Sequence, residues 1–266
     1  MVQRLVIAST QLIDLSTVNL TAEQRHYLLS VLRLRRGDRL ILLDGCGQGW
    51  LAALNETEAT TLTATLLEPY CCQTELSLSV NLVAALPKNG FDEVVRSCTE
   101  LGVKTIIPVI SERTVLKPSP NKLVRWRKIA MEAAEQSERA IVPTIQEPIT
   151  FASYLKLTTP SAVNPYYLCG ARAKSLHLLD ALATSFQGTL PTEISLLIGP
   201  EGGWTEGEID RAIAQQMTVV SLGSQILRAV TASVTALSLV NGYLSLRERG
   251  TGRQGERETK GQLELC

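Results

Sequence analysis

Two short stretches hold the residue types and spacing best suited to chemistry: LLIGPEGGW at residues 196–204 and LGSQILRAVTA at 222–232. Each reads as a buried β-strand that ends in a glycine turn and opens a helix. At such a junction backbone N–H groups point outward, and glycine lets a ligand approach the main chain, so these turns are common cofactor sites in α/β sheets. One junction alone is ordinary turn geometry. Two so close in the chain are expected to line one pocket. Gly-Pro-Glu-Gly-Gly is also unusual for a connector, because Pro200 stiffens it and Glu201 sets a carboxylate between glycines.

These turns need a parallel sheet behind them. From residue 78 onward, apolar runs alternate with helix-length segments: LSVNLVAAL at 78–86, TIIPVIS at 105–111, YYLC at 166–169, ISLLIG at 194–199 and VVSLG at 219–223. One intervening helix carries Phe91, Val94, Val95, Cys98 and Leu101 on a single face, and another Leu123, Trp126, Ile129, Ala130 and Ala133. Strands alternating with helices predict an α/β domain, a mostly parallel sheet with helices on both faces. A last helix over about 229–246 is rich in small residues, which permits deep packing or a subunit contact. The polar remainder, 247–266, reads as a disordered tail.

Residues 1 to about 70 follow a different rhythm. RLVI, RLILLD, WLAAL and TLTATLL alternate as β-strands do, and one helix interrupts them, with Thr21 as N-cap, Gln24 completing the cap, and Tyr27, Leu28, Val31 and Leu32 as its stripe. This predicts a small β-barrel over 1–72, a linker near PYCCQTE, and a second domain over 73–246. Within the barrel, LILLDGCGQG at 40–49 resembles the glycine loop of Rossmann-type methyltransferases, with Glu68 at the expected distance. No amphipathic helix follows it, so it reads as a glycine-rich hairpin.

Composition bounds the rest. The chain has 266 residues, 45% of them hydrophobic, and a net charge of zero, so no global basic field announces nucleic acid. Two local clusters stand out: Arg33, Arg35, Arg36 and Arg39, and Arg113, Lys117, Lys122, Arg125, Arg127 and Lys128. Either alone is an ordinary solvated face; together they put Arg33, Arg36 and Arg113 forward for RNA contact. The six cysteines form no CxxC pair and have no histidine at zinc spacing, which argues against a metal site. No apolar run looks long enough to span a membrane and the start lacks a signal peptide's apolar core, so a cytoplasmic protein is expected.

In order along the chain, HYLLSVLR at 26–33, LPKNGFDEVVRSCTELGV at 86–103, EQSERAIVP at 135–143, LLIGPEGGWTEGEI at 196–209 and LGSQILRAVTA at 222–232 resemble one family. It is the RsmE family, which methylates N3 of a uridine in small-subunit (16S) ribosomal RNA. The resemblance implies an N-terminal PUA-like β-barrel that holds RNA and a C-terminal SPOUT domain threaded into a trefoil knot. It also implies a homodimer and S-adenosylmethionine (SAM) as methyl donor; because two domains can read shape as well as sequence, the assembled 30S subunit is the expected substrate form.

By match to that family, Leu168 and Gly170, Ile198, Gly199, Gly202 and Gly203, and Leu222, Gly223, Ile226 and Leu227 are the cofactor residues. Arg228 would stabilise negative charge on a uracil carbonyl oxygen, and Glu201 or solvent would take the N3 proton. His26, Lys88 and Arg139, the last within EQSERAIVP, join the RNA-contact set. Two positions depart from the usual LGxRILRTETA: Gln225 replaces an arginine and Val230 a glutamate. Their loss motivates an alternative, a non-catalytic knotted RNA-binding or assembly factor, and a further one is a SPOUT methyltransferase acting on another RNA.

Overall fold

Strand β3 (Arg39–Leu43) organises the N-terminal part of the computed structural model, which describes residues 2–14, 16–55, 61–72, 74–115, 118–170, 175–187 and 191–263, with side chains to 249. Leu40 and Leu42 enter a core with Leu5, Val18, Leu20, Leu28, Leu54 and Leu62, while Ile41 and Leu43 pack with Ala140. Successive strand residues point to opposite faces, so this continuous apolar run marks a strand covered on both sides. Its sheet has five strands in the order β1 (Gln3–Val6), β3, β4 (Gly49–Leu54), β5 (Leu62–Tyr70), β2 (Thr17–Leu20).

The sheet curls, because both edge strands feed one core. The Gln24 amide links them, donating to the Val6 carbonyl at 3.0 Å and accepting at 2.7 Å from Gln11, which also donates to Asn19. Gln24 belongs to α1 (Ala22–His26), opened by the Thr21 capping box that the sequence predicts. A π turn over Tyr27–Val31 follows and rotates the predicted stripe, leaving Leu28 buried and Val31 59% exposed. The GCGQG segment is a hairpin loop: β3 and β4 are antiparallel, and the Asp44 carboxylate accepts from the N–H groups of Cys46 and Gln48 at 2.7 and 2.9 Å.

The chain divides into Met1–Glu75 with Arg127–Pro143, and Leu76–Trp126 with Thr144–Cys266. Residues 127–143, which the linear reading assigns to the second domain, thus pack with the first unit. Side-chain chemistry explains the return, which runs through α3 (Pro120–Gln136). Glu135 accepts from the Val6 N–H at 2.6 Å, the Val142 N–H donates to Gly45 at 2.9 Å, and Arg139 pairs with Glu75 at 2.9 Å.

The second unit is built on eight strands, ordered β11 (Leu176–His177), β13 (Thr218–Ser221), β10 (Tyr166–Cys169), β12 (Glu193–Ile198), β6 (Ser79–Ala85), β7 (Thr105–Ile110), β8 (Thr144–Ile145), with β9 (Ile149–Thr150) also on β7. Every neighbouring pair is parallel. Pro108, which has no N–H to give, lies between the residues of β7 paired by β8 and those paired by β9.

On one face Val83, Val109, Leu168 and Leu197 pack with Phe151 and Tyr154 of α4 (Phe151–Leu157) and Ala212 of α6 (Glu206–Ala214). Leu82, Ala84 and Leu196, pointing the other way, are equally buried. There α7 (Ala229–Leu263) lies on β6 and β12 and packs with α2 (Phe91–Glu100) and α5 (Leu178–Ser185). The predicted α/β sheet, covered on both faces, is what forms.

Helix α7 corrects two expectations. Over Ala229–Arg249 it is long and apolar enough, by length and composition, to cross a membrane, contrary to the reading that no segment is. Its apolar residues Ala229, Ala232, Ala236, Leu237, Val240 and Leu244 form a buried stripe at helical spacing, which is the pattern of a core helix. The helix also runs on to Leu263, into the stretch read as a disordered tail, since a helix nucleated by buried turns extends at little cost.

Candidate functional site

β12, β10 and β13 are neighbours and parallel, so their C-terminal ends lie at one edge of the sheet, where crossover loops open a crevice. A cavity of about 420 Å³ sits there, within the range typical of small-molecule sites. Cys169 and Gly170 at the end of β10, residues 198–204 at the end of β12, and Leu222, Gly223 and Ile226 after β13 line it. The two glycine turns singled out from sequence thus share one pocket.

Backbone conformation explains the glycines. Gly203 has φ +71 and Gly223 φ +134, a region that L side chains rarely adopt, and a Cβ on Gly203 would meet nothing within 4 Å. The main chain at Gly203 is therefore bare towards open space, as close ligand approach requires. Gly199 is needed for another reason: a Cβ there would sit 3.2 Å from the Trp204 indole nitrogen. Trp204 is 7% exposed, stacks on Phe151 at 4.5 Å, and its buried Nε1 has no hydrogen-bond partner among the described residues.

Neighbouring loops hold the first turn from two sides. The Lys88 N–H, after β6, donates to Glu201 Oε1 at 2.9 Å, and Arg113, after β7, donates from Nη1 to the Gly202 carbonyl at 2.6 Å. Glu208, 1% exposed, completes the capping box at the start of α6 and also accepts from the Glu112 N–H at 2.9 Å. The Glu112 carboxylate is held below its ordinary pKa first by hydrogen bonding to Arg211 and then to Thr205.

Among the predicted cofactor residues, Gly170, Ile198, Gly199, Gly202, Gly203, Leu222, Gly223, Ile226 and Leu227 line the cavity. Leu168 does not: its side chain is in the core, and strand alternation puts Cys169 at the wall instead. Burial pushes the Cys169 thiol up to about 12, so it stays neutral and acts as a small apolar surface. The sequence reading also misses Trp204, Ile209, Ala229 and Ala232. Ala229 and Ala232 share one face at i, i+3 beside the second turn, a signal that was present but common to any buried helix.

Glu201 lines the cavity and is exposed; Arg228 is exposed between the lining residues Leu227 and Ala229, and its carbonyl accepts from the Ala232 N–H in the first turn of α7. No ion pair or hydrogen bond engages the Arg228 side chain among the described residues. Of the two departures, Gln225 is at the wall, and Val230 is half-buried where a Cβ on Gly90 would meet it at 3.1 Å. The residues suit a nucleoside-bearing cation such as SAM: bare glycine backbone, an apolar wall from Leu222 and Ile226, and carboxylates of Glu201 and Glu206 at the rim.

The predicted RNA contacts divide. His26, Arg33 and Arg36 are exposed in the first unit, and Lys88 is exposed in the second. Lys117 lies outside the described residues. Arg139 is corrected: it is 2% exposed and donates from Nε and Nη2 to Glu75 at 3.2 and 2.9 Å. A guanidinium held there anchors the returning segment and is closed to phosphate. Glu135 of the same motif is equally structural, its carboxyl pushed up to about 7 by burial while it accepts from Val6.

Residues 74–241 match the RNA methyltransferase domain family, and residues 20–67 the RNA methyltransferase PUA domain family. The ribosomal RNA small subunit methyltransferase E of Synechocystis sp. is 48% identical over 92% of this chain and 78% of its own length. The Bacillus subtilis protein of the same name is 31% identical over 88% of this chain and 93% of its own. A crystal structure of the Neisseria gonorrhoeae protein of that name, bound to S-adenosyl methionine, superposes with a TM-score of 0.78 at 29% identity, over 90% of this chain and 96% of that one.

Proposed function

Since the chain belongs to the ribosomal RNA small subunit methyltransferase E family, we propose that it transfers a methyl group from SAM to N3 of a uridine in 16S ribosomal RNA. The observation that carries this reading is the single cavity of about 420 Å³ lined by both glycine turns. When bound, SAM supplies an electrophilic methyl on a sulfonium. The bare main chain at Gly203 and the side chains of Leu222, Ile226 and Leu227 would hold the cofactor, and Glu201 and Glu206 would favour its positive charge. Positioning of donor and base for in-line displacement then supplies much of the rate.

Uracil N3 carries a proton and attacks poorly until that proton leaves. Arg228, unpaired among the described residues and at the head of α7, stabilises the negative charge that develops on a uracil carbonyl oxygen, helped by the positive end of the helix dipole. Glu201, with Oε1 fixed by Lys88 and Oε2 unengaged among the described residues, accepts the N3 proton and passes it to water. His26, Arg33 and Arg36 on the PUA-like unit, and Lys88 beside the pocket, contact RNA phosphates.

The target base leaves its stack to reach the methyl group, and recognition reads the shape of the assembled 30S subunit. In this reading the second unit is threaded into a trefoil knot. Dimerisation of the cytoplasmic enzyme through the small-residue helix α7 completes the proposal. The test is transfer of labelled methyl from SAM to small subunits purified from cells lacking this protein. Label recovered as 3-methyluridine supports it; label in another nucleoside, or none despite SAM binding, overturns it.

A further inference from the structure

We propose that Arg113 is a positioning residue for the methyl donor, locking the Gly202–Gly203 peptide that forms the pocket rim; this rests on the SAM-binding reading above. Sequence places Arg113 in a basic cluster suited to RNA, but its geometry points elsewhere. Arg113 Nη1 donates to the Gly202 carbonyl at 2.6 Å, and the Gly203 N–H of the same peptide donates to the Pro200 carbonyl at 2.8 Å. Both polar ends of one planar unit are thus tied. A peptide between two glycines has little intrinsic torsional preference and flips readily, and a flip here would turn the bare face of Gly203 away from the cavity.

The glycine at 202 suits the same contact. Its φ is not in the left-handed region, so conformation does not demand glycine, but a Cβ there would lie 3.1 Å from Arg113 Cδ and 3.4 Å from its Cβ. Absence of a side chain lets the arginine lie across the turn. The arm that carries Arg113 is itself fixed. The Ser111 N–H donates to Thr114 Oγ1 at 3.0 Å and the Thr114 N–H to the Ser111 carbonyl at 3.1 Å, while Glu112 binds Arg211, Thr205 and, through its N–H, Glu208. A rigid arm reaching a carbonyl with a charged donor holds that peptide in one orientation.

The experiment measures SAM binding to the full chain by calorimetry without RNA, for wild type, Arg113→Met and Arg113→Lys, with melting curves and binding to small subunits across a salt series. Wild type failing to bind SAM would sink the underlying functional reading. With wild type binding, the expected result is a SAM Kd raised about tenfold in Arg113→Met, as for loss of a charged hydrogen bond. Partial recovery in Arg113→Lys, an unchanged melting temperature, and subunit binding with an unchanged salt dependence complete the expectation. The proposal is overturned if SAM affinity is unchanged, and equally if Arg113→Met instead weakens subunit binding with a shallower salt dependence, the signature of a phosphate contact.

Discussion

Exchanging Glu75 for glutamine tests whether the EQSERAIVP segment is structural. The Glu75 carboxylate accepts from Arg139 Nε and Nη2 and from the Ile141 N–H at 3.0 Å. The side chain of Arg139 is 3% exposed and that of Glu75 21%. Glu75→Gln leaves a guanidinium in the interior without its counter-charge, a change that costs about 3–5 kcal/mol for a fully buried pair. Water reaches Glu75 in part, so the lower end, about 3 kcal/mol, is expected. At about 2–4 °C per kcal/mol for a chain of this size, the melting temperature should fall by about 6–12 °C, most visibly in probes of the first unit. Arg139→Met is expected to cost less, because Glu75 can turn to solvent, and the double variant less than Glu75→Gln alone. Differential scanning calorimetry of the three variants decides it. If Glu75→Gln melts within 2 °C or so of wild type and Arg139→Met loses only RNA affinity, the assignment of Arg139 as a buried anchor is wrong.

Three further outcomes follow from the site and its supports. Arg228→Ala should lower kcat about 10²–10³-fold, the scale of a lost oxyanion donor, while SAM affinity stays as in wild type because the side chain does not line the cavity; single-turnover rates with saturating subunits would expose an error in either half. Gly203→Ala places a side chain at φ +71 in open space, so about 1–2 kcal/mol of backbone strain without steric collision is expected, read by urea unfolding, together with weaker SAM binding. Burial pushes the Glu135 carboxyl up from its ordinary 4.5 to about 7, against the Val6 hydrogen bond and with Glu132 adding repulsion. The folded state then binds more protons than the unfolded one between those values, so stability should decline as pH rises from about 4.5 through 7. Glu135→Gln should flatten that decline in melting curves at pH 5 and 8; an identical slope in both proteins would count against it.

Strand and helix types in both units were legible from sequence wherever one local rule governs. Thr21 and Gln24 cap α1 because the capping box needs only neighbours three apart. The hairpin reading of GCGQG succeeded because a missing amphipathic helix is a local fact. The glycine turns were recognisable because their φ values and close approaches restrict residue type at the position itself. Tertiary structure decided what depends on partners distant in the chain. Arg113, Arg139 and Glu135 look alike in sequence, charged residues on a loop or a helix edge. Only folding shows that the first crosses Gly202, the second meets Glu75, and the third receives Val6. The apolar length of α7 likewise acquires its meaning from the sheet it covers. Composition and spacing fix which backbone shapes and burial patterns a chain can adopt, whereas the role of a charged side chain is set by the group opposite it, and that group is chosen by topology.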